Sequence, residues 1–274
     1  MRVMPIRVYT GKDGLTQMQA SFRKNWRHYL QEALGLAIFM VSACFFGALF
    51  WSNDASFHFS IQNESTRNAV NGILMGLTAL FIFYSPFTAP SGSQINPAVT
   101  LSFLRLNKMC PYDAMFYIVF QVIGGTLAVY LMQVIIGHSL TSAPVNSVVT
   151  VPRGHGRWPA FILEFIIAFL TMAMVLLTSE NKKLKNYTRV FAGGLVCTWV
   201  IVAGPISGFG MNPARSFASA LPANIWTGFW IYLFAPVTGM LASVECYLFL
   251  KRNITKSSPL AIRNFDKSAS SSEK

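Results

Sequence analysis

Charged residues are scarce in this sequence. They make up 12% of its 274 residues, and only ten residues are acidic, whereas 53% are hydrophobic. An ordinary soluble domain carries about twice that charged fraction. The composition therefore argues against a water-soluble domain and indicates that the chain is dissolved in the lipid bilayer.

Cysteine is also scarce. Cys44, Cys110, Cys197 and Cys246 have neither the close pairing of a metal site nor the spacing of a disulfide scaffold. We interpret all four as apolar filler, and we predict no bound metal and no cofactor. The start of the chain also lacks a small-residue cleavage site, so we expect no removable signal peptide.

The hydrophobic residues gather in six long stretches, each near the roughly 20 residues that a membrane-spanning helix needs. These stretches are residues 29–51, 69–88, 112–136, 159–179, 188–204 and 226–250. Two more, at 95–105 and 211–221, have only about ten residues, which is too few to cross hydrocarbon. They are predicted to be re-entrant half-helices.

The placement of the basic residues predicts an orientation. The net charge of +12 would suit nucleic acid, but most Lys and Arg lie on the side of the chain that carries both termini. The opposite side holds only Arg67, Arg153, Arg157 and Arg215. By the positive-inside rule, both termini are cytoplasmic. We expect an integral protein of the cell membrane, inner or plasma, whose surroundings are the lipid bilayer and which has no nucleic-acid partner.

Three segments are predicted. Residues 1–28 form a basic cytoplasmic segment, and 29–250 form the membrane domain. Residues 251–274, rich in Ser and Lys, form a disordered cytoplasmic tail because such a composition cannot bury a core.

The membrane domain contains a duplication, with a first repeat over 29–136 and a second over 159–250. Each repeat has a glutamate in its first span, Glu32 or Glu164, and a string Ser-Gly-x-x-x-Asn-Pro-Ala after its second. Three spans per repeat is an odd number, so the second repeat enters the membrane from the opposite side. The predicted fold is an all-α membrane protein with six transmembrane helices, two re-entrant half-helices and an inverted 3+3 repeat.

The two strings predict a pore. Non-helical backbone at membrane depth is tolerated only where it is buried in protein or lines a wet cavity. We expect backbone carbonyls to line that cavity at Gly92, Ser93, Gln94, Gly208, Phe209 and Gly210. The Asn-Pro-Ala motifs are Asn96, Pro97 and Ala98, and Asn212, Pro213 and Ala214.

Each Asn-Pro pair alone is explained by helix capping. Two caps that face each other across the midplane would also aim two positive dipole ends at one point. Their side-chain amides would then donate to a solute oxygen, and the site would oppose protons and cations.

Three charged residues have predicted roles in the membrane. Arg215 follows the second motif directly, whereas Val99 stands at the matching place in the first. A lone charge at this depth is costly unless it is functional, so we predict that Arg215 lines the pore. The symmetry of Glu32 and Glu164 favours a role in holding the loops by hydrogen bonds over proton transport.

These motifs resemble the aquaporin or major intrinsic protein family, through 91–100 and 204–217, and the resemblance extends over about 29–250. It implies an aquaporin-like channel domain, a homotetramer, and buried loop supports at Glu32, Glu164 and Gln121. It also implies a selectivity filter at Met75, Val200, Phe209 and Arg215.

Several positions depart from the family pattern. Water channels of the family usually have His at the positions of Val200 and Gln94. Glycerol facilitators usually have Asp at the position of Ser216 and Lys at that of Ala220. The signature is therefore mixed, and a filter without the imidazole is more apolar and is expected to admit more than water.

The leading hypothesis is a passive channel, not an enzyme, for water and other small neutral solutes such as glycerol. One alternative is a glycerol or small-solute facilitator with little selectivity for water. Another is an ion-coupled secondary transporter, which would need more intramembrane charges than the symmetric pair and Arg215.

Overall fold

The computed structural model describes residues 14–154 and 156–257, with side chains described through residue 253. Six helices in this part of the chain are long and apolar enough to cross a membrane, as predicted. With the half-helices and one short helix they are α1 (Gly14–Trp51), α2 (Glu64–Tyr84), α3 (Pro97–Arg105), α4 (Pro111–Ile136), α5 (His138–Thr141), α6 (Arg157–Glu180), α7 (Thr188–Ser207), α8 (Pro213–Ala223) and α9 (Phe229–Ser257). Helices predominate because hydrocarbon offers the backbone no hydrogen-bond partner.

Two helix ends differ from the predicted spans for local reasons. Helix α2 ends at Tyr84 instead of 88 because Pro86 follows Ser85, and a residue before proline is driven out of the helical region. Helix α1 begins at Gly14, well before 29. Its polar first turns bury Ser21 and Asn25, which both hydrogen bond to Asp113 of α4.

The predicted boundary of the disordered tail is wrong for its first residues. Helix α9 continues to Ser257, so 251–257 are helical. Lys251 Nζ lies 3.1 Å from Glu180 Oε1 of α6, so an exposed ion pair gives this polar turn a partner. The rest of the predicted tail, like the first part of the basic N-terminal segment, lies outside the described residues.

The packing follows the duplication. Helix α1 packs on α4 in the first repeat as α6 packs on α9 in the second, and α2 packs on α7 between repeats. Each half-helix packs on the third span of the other repeat, α3 on α9 and α8 on α4. The close crossings are also paired, because a side chain at Gly124 or Gly239 would overlap the backbone of Ala33 or Phe165.

The outward faces of the spans are apolar. Leu127, Val134 and Leu177 are exposed by 63%, 84% and 65% in the isolated chain. Such a surface suits lipid or another apolar neighbour. The two half-helices lie on the inside of this ring of spans.

Candidate functional site

The two half-helices begin with the same cap. The Asn96 side-chain oxygen accepts a hydrogen bond from Ala98 N at 2.9 Å. The Asn212 oxygen accepts from Ala214 N at 3.1 Å and from Arg215 N at 3.2 Å. The proline after each asparagine occupies the first turn, where its missing N–H costs nothing. The predicted capping geometry is therefore present in both halves.

The amide ends of the two asparagines join the loops. Asn96 Nδ2 donates to the backbone oxygen of Met211 at 2.8 Å, and Asn212 Nδ2 donates to that of Ile95 at 2.6 Å. The N-terminal ends of α3 and α8 are thus held together. Because a carboxamide has two N–H groups, each asparagine keeps one for a molecule in the pore.

The loops before the half-helices share an unusual backbone. Three residues in each have positive φ: Gly92 (96°), Ser93 (48°) and Ile95 (43°), and Gly208 (81°), Phe209 (52°) and Met211 (43°). Non-glycine residues rarely adopt this conformation and need surrounding structure to hold it. Within the described part of the chain, the carbonyls of 92–94 and 208–210 accept no hydrogen bond, so they remain available as acceptors.

Glu32 holds the first loop. Its fully buried carboxylate accepts hydrogen bonds from Ser91 Oγ at 2.6 Å, Gln94 N at 3.0 Å and Ile95 N at 2.6 Å. Gln121 Nε2 also donates to it at 2.9 Å. The structure therefore brings together the predicted supports Glu32 and Gln121 beneath the strained loop.

Glu164 holds the second loop in the same way. It is fully buried and accepts from Ser207 Oγ at 2.6 Å, Gly210 N at 2.8 Å and Met211 N at 2.6 Å. The two backbone donors lie at the positions that correspond to those on Glu32. The duplicated carboxylates thus satisfy backbone N–H groups that would otherwise be buried without a partner.

Two tyrosines that the sequence analysis did not single out complete the supports. Tyr117 OH donates to the backbone oxygen of Ser91 at 2.9 Å, and Tyr232 OH to that of Ser207 at 2.5 Å. Both rings are buried, in the third span of their repeats. Comparing third spans as well as the loop strings would have found them, because they occupy matching places.

Gln121 has no counterpart in the second repeat, where Pro236 stands one turn after Tyr232. Gln121 also lies 3.2 Å from Thr100 Oγ1, in the first half-helix. The matching residue of the second half-helix is Ser216, whose buried hydroxyl has no hydrogen-bond partner among the described residues. The duplication is therefore incomplete at this one support.

The four predicted filter residues line one cavity of about 360 Å³. Met75 comes from α2, Val200 from α7, Phe209 from the second loop and Arg215 from α8. The cavity opens on the side where α1 ends and α2 begins, which we call the distal mouth. The structure thus brings the four together, although their role as a filter stays a prediction.

Arg215 has a partner that the sequence did not reveal. Its guanidinium donates to the hydroxyl of Thr150, in the long segment between α5 and α6. That segment reaches into the distal mouth, and the valines on either side of Thr150 line the cavity. No local signal marks Thr150, since the contact depends on how the segment folds back.

Helix α5, which leads into the inserted segment, is tied to the loop before α2. The Asp54 carboxylate accepts a hydrogen bond from Ser139 Oγ at 2.6 Å and from Ser56 Oγ at 2.6 Å. The bond from Ser139, followed by those from Ser56, lowers the pKa of Asp54 to about 2. A lowered pKa keeps the carboxylate charged, so the link persists at neutral and mildly acidic pH.

The opposite end of the first half-helix is fixed by an ion pair. Arg105 Nε lies 2.6 Å from Glu245 Oε1, and Arg105 Nη2 donates to Glu245 Oε2 at 3.0 Å. This two-pronged contact joins α3 to α9 and gives Glu245 a place that the sequence analysis left unassigned. Both side chains are about half exposed, so its contribution to stability is small.

Comparison with known proteins agrees with this geometry. The family described as Major intrinsic protein matches residues 19–247. Aquaporin NIP1-2 of Arabidopsis thaliana is 32% identical over 195 residues, which are 68% of this chain and 66% of the relative. Aquaporin NIP1-1 of the same plant is 31% identical over 219 residues, 76% of this chain and 74% of the relative. Nodulin-26 of Glycine max is 30% identical over 217 residues, 77% and 75% of the two chains.

A solved structure shows the same fold. The aquaglyceroporin from Plasmodium falciparum superposes with a TM-score of 0.69 at 20% identity, covering 81% of this chain and 94% of its own. Six spans around two opposed half-helices define an integral membrane channel. The chain belongs to the major intrinsic protein family.

Proposed function

We propose that this protein is a passive channel for water and small uncharged solutes such as glycerol, and that it excludes protons and ions. The observation that carries the proposal is the pair of opposed half-helix ends. Asn96 and Asn212 hold these ends together, and each keeps one amide N–H for a passing molecule.

The electrostatics of that centre favour neutral cargo. A helix N-terminus carries a partial positive charge of roughly half an elementary charge. Two such ends at one point repel cations and orient a water molecule so that it donates outward on both sides. A neutral solute with a hydroxyl oxygen meets donors there without an electrostatic penalty.

The filter is proposed to be Met75, Val200, Phe209 and Arg215. Arg215 supplies the donor and the positive charge, whereas the other three supply apolar surface. Water gains little from that surface, whereas the CH groups of a larger solute are transferred favourably from water onto it. The filter therefore admits small polyols as well as water.

A facilitator that prefers glycerol and conducts water poorly is the second candidate. Its support is the apolar side of the filter, Val200 with Phe209, together with the fold that the chain shares with the aquaglyceroporin from Plasmodium falciparum. The ratio of glycerol to water permeability separates the two candidates.

Proton-coupled transport has less support. Glu32 accepts four hydrogen bonds and Glu164 three, from groups that are fixed by the loops. Protonation of either carboxylate would convert an oxygen that accepts from those donors into an O–H group. Both carboxylates are therefore proposed to be structural, and the protein a channel without enzymatic activity.

The assembly and orientation are part of the same proposal. The apolar outward faces of the spans suit a homotetramer in which neighbouring subunits cover part of them, with lipid on the remainder. Both termini are proposed to be cytoplasmic, in the inner or plasma membrane of the cell, with the distal mouth outside.

Stopped-flow light scattering on proteoliposomes tests the function. Shrinkage after an osmotic step reports water permeability, and swelling in glycerol or urea reports solute permeability. The Asn212→Asp variant serves as the control, because it places a carboxylate at the pore centre. If the native protein accelerates no neutral solute beyond empty liposomes, the proposed function is wrong.

A further inference from the structure

A second cavity, of about 490 Å³, lies beside the distal mouth. Its wall is formed by the end of α1, the loop that follows, the first turn of α2 and the start of the inserted segment. Trp51 and Pro144 line this cavity and the 360 Å³ cavity as well, so the two share a wall. We call the second cavity the side pocket. The four predicted filter residues belong to the other cavity, so the side pocket is separate from the filter.

Arg67 of the side pocket is held by packing and not by hydrogen bonds. The central carbon of its guanidinium lies 5.3 Å from the ring centre of Trp51, a cation–π contact. That contact uses the face of the guanidinium, whereas its N–H groups lie in the plane. Among the residues whose side chains the structure describes, the buried Nε has no hydrogen-bond partner and Arg67 forms no ion pair. The chain therefore leaves a charge and a donor edge unused.

Two further polar groups line the same pocket. The Nδ1 atom of His58 is buried and has no hydrogen-bond partner within the described part of the chain. Ser52 is buried, and its hydroxyl oxygen accepts from Asp54 N at 3.0 Å, which leaves its own O–H to donate. Buried polar groups are normally paired, so a cluster that the fold itself does not satisfy points to a ligand.

The nearby carboxylates do not neutralise this cluster. Asp54 is engaged by the hydroxyls of Ser139 and Ser56, both at 2.6 Å. Glu64, one turn before Arg67, lines the other cavity. The side pocket thus combines a positive charge with hydrogen-bond donors, which suits an anion. A guanidinium also matches the oxygens of a phosphate group with two parallel N–H donors.

We propose that the side pocket binds a phosphate group, with Arg67 as the main donor and His58 and Ser52 beside it. The phosphate is either dissolved or carried by a lipid headgroup at the rim. Asn53 Nδ2 donates to the backbone oxygen of Ala143 at 3.3 Å, directly before Pro144. A bound phosphate therefore braces the loop after α1 against the start of the inserted segment and stabilises the fold there. The site is independent of which solute the channel carries.

The test titrates the full chain in a non-ionic detergent with inorganic phosphate, against chloride at equal ionic strength. Calorimetry should show saturable binding, and the thermal unfolding midpoint should rise by at least about 2 °C, because a ligand that binds only the folded state stabilises it. A second arm replaces phosphate by short-chain phosphatidylglycerol. Saturable binding in the first arm identifies a dissolved phosphate, and binding in the second alone identifies a lipid headgroup.

Variants assign the site. Arg67→Gln should weaken binding at least about tenfold, as the loss of charge-assisted hydrogen bonds implies. Arg67→Lys keeps the charge without the planar pair of donors and should recover only part of the affinity. His58→Leu leaves the Arg67 contact with Trp51 in place and should weaken binding about threefold or more, which provides a second test if Arg67→Gln does not fold.

Arg157→Gln is the matched control, since Arg157 is exposed in the first turn of α6 and removes the same charge from the same side of the protein. It should bind phosphate like the native chain. No saturable binding in either arm, or equal loss in Arg157→Gln and Arg67→Gln, would overturn the phosphate site. The proposed channel function would be unaffected, because permeability is measured without phosphate.

Discussion

The two loops that meet at the centre of the pore are alike in what holds them and different in what they present. Each has a buried glutamate, a serine, a tyrosine and an asparagine cap in the same arrangement. At the matching positions the first loop and half-helix carry Ser93, Gln94 and Val99, and the second carry Phe209, Gly210 and Arg215. Apart from Gln121 the supports are duplicated, whereas the residues proposed to form the filter are not.

This difference separates two kinds of constraint. The loops hold strained backbone in both halves, so each half needs the same set of fixed acceptors and donors. Selectivity needs only one narrow point, and we propose that the second half provides it through the ring of Phe209 and the cation of Arg215, with no side chain at Gly210. Substitutions in the paired supports should therefore affect folding, and substitutions in the unpaired residues should affect selectivity.

The largest effect is expected from the paired supports. Glu32→Gln and Glu164→Gln each turn an amide toward donors that the carboxylate satisfied, and an unsatisfied buried group costs about 1–3 kcal/mol. We expect either variant to lower thermal stability in detergent sharply and to reduce water permeability to the level of empty liposomes. Glu180→Gln, in an exposed ion pair, is the control and should cost at most about 1 kcal/mol. If only one of the two buried variants lost stability and water permeability, the two carboxylates would not be equivalent supports.

The sequence could predict these supports because they recur. Two copies of Ser-Gly-x-x-x-Asn-Pro-Ala, each after a span with a glutamate, specify the caps and the carboxylates together. Tyr117 and Tyr232 were missed because the third spans were not compared between the repeats. Thr150 was missed because nothing near it in the chain marks its contact with Arg215, which forms only when the inserted segment folds back. The length of the apolar stretches also did not predict two helix ends. Pro86 ends α2 early, at Tyr84, and the polar contacts of Asn25 accompany the early start of α1, at Gly14.

The unpaired cation gives the next largest effect. Arg215→Val would make the second half-helix resemble the first, where Val99 stands. We expect the leak of protons or small cations to rise about five- to tenfold, because removing a unit charge near the path lowers the barrier by about 1–1.4 kcal/mol. Water permeability should change little.

Liposomes with a pH-sensitive dye inside measure this leak. Arg153→Val is the matched control, since Arg153 lines the same cavity but is exposed near its rim. An equal leak from both variants would mean that charge in the whole mouth, and not Arg215, excludes cations.

A smaller, selective effect is expected at Val200. Val200→His adds a hydrogen-bond donor to an apolar wall and narrows the pore there. Glycerol permeability should therefore fall several-fold more than water permeability. Val200→Ala keeps the wall apolar and should not reduce glycerol. Stopped-flow traces for both solutes on the same liposomes provide the ratio, and equal loss of water and glycerol in the histidine variant would show that Val200 is not in the filter.

The smallest effect concerns the one support that is not duplicated. Thr100 has Gln121 within 3.2 Å, whereas the hydroxyl of Ser216, its counterpart, is buried without a partner among the described residues. A buried hydroxyl without a hydrogen bond is a net cost, while one with a partner contributes about 1 kcal/mol. Thr100→Val should therefore destabilise the protein by about that amount, and Ser216→Ala should be neutral or slightly stabilising. Thermal unfolding of both variants in the same detergent measures the difference, and a Ser216→Ala loss as large as that of Thr100→Val would show that the second half has found another partner for this hydroxyl.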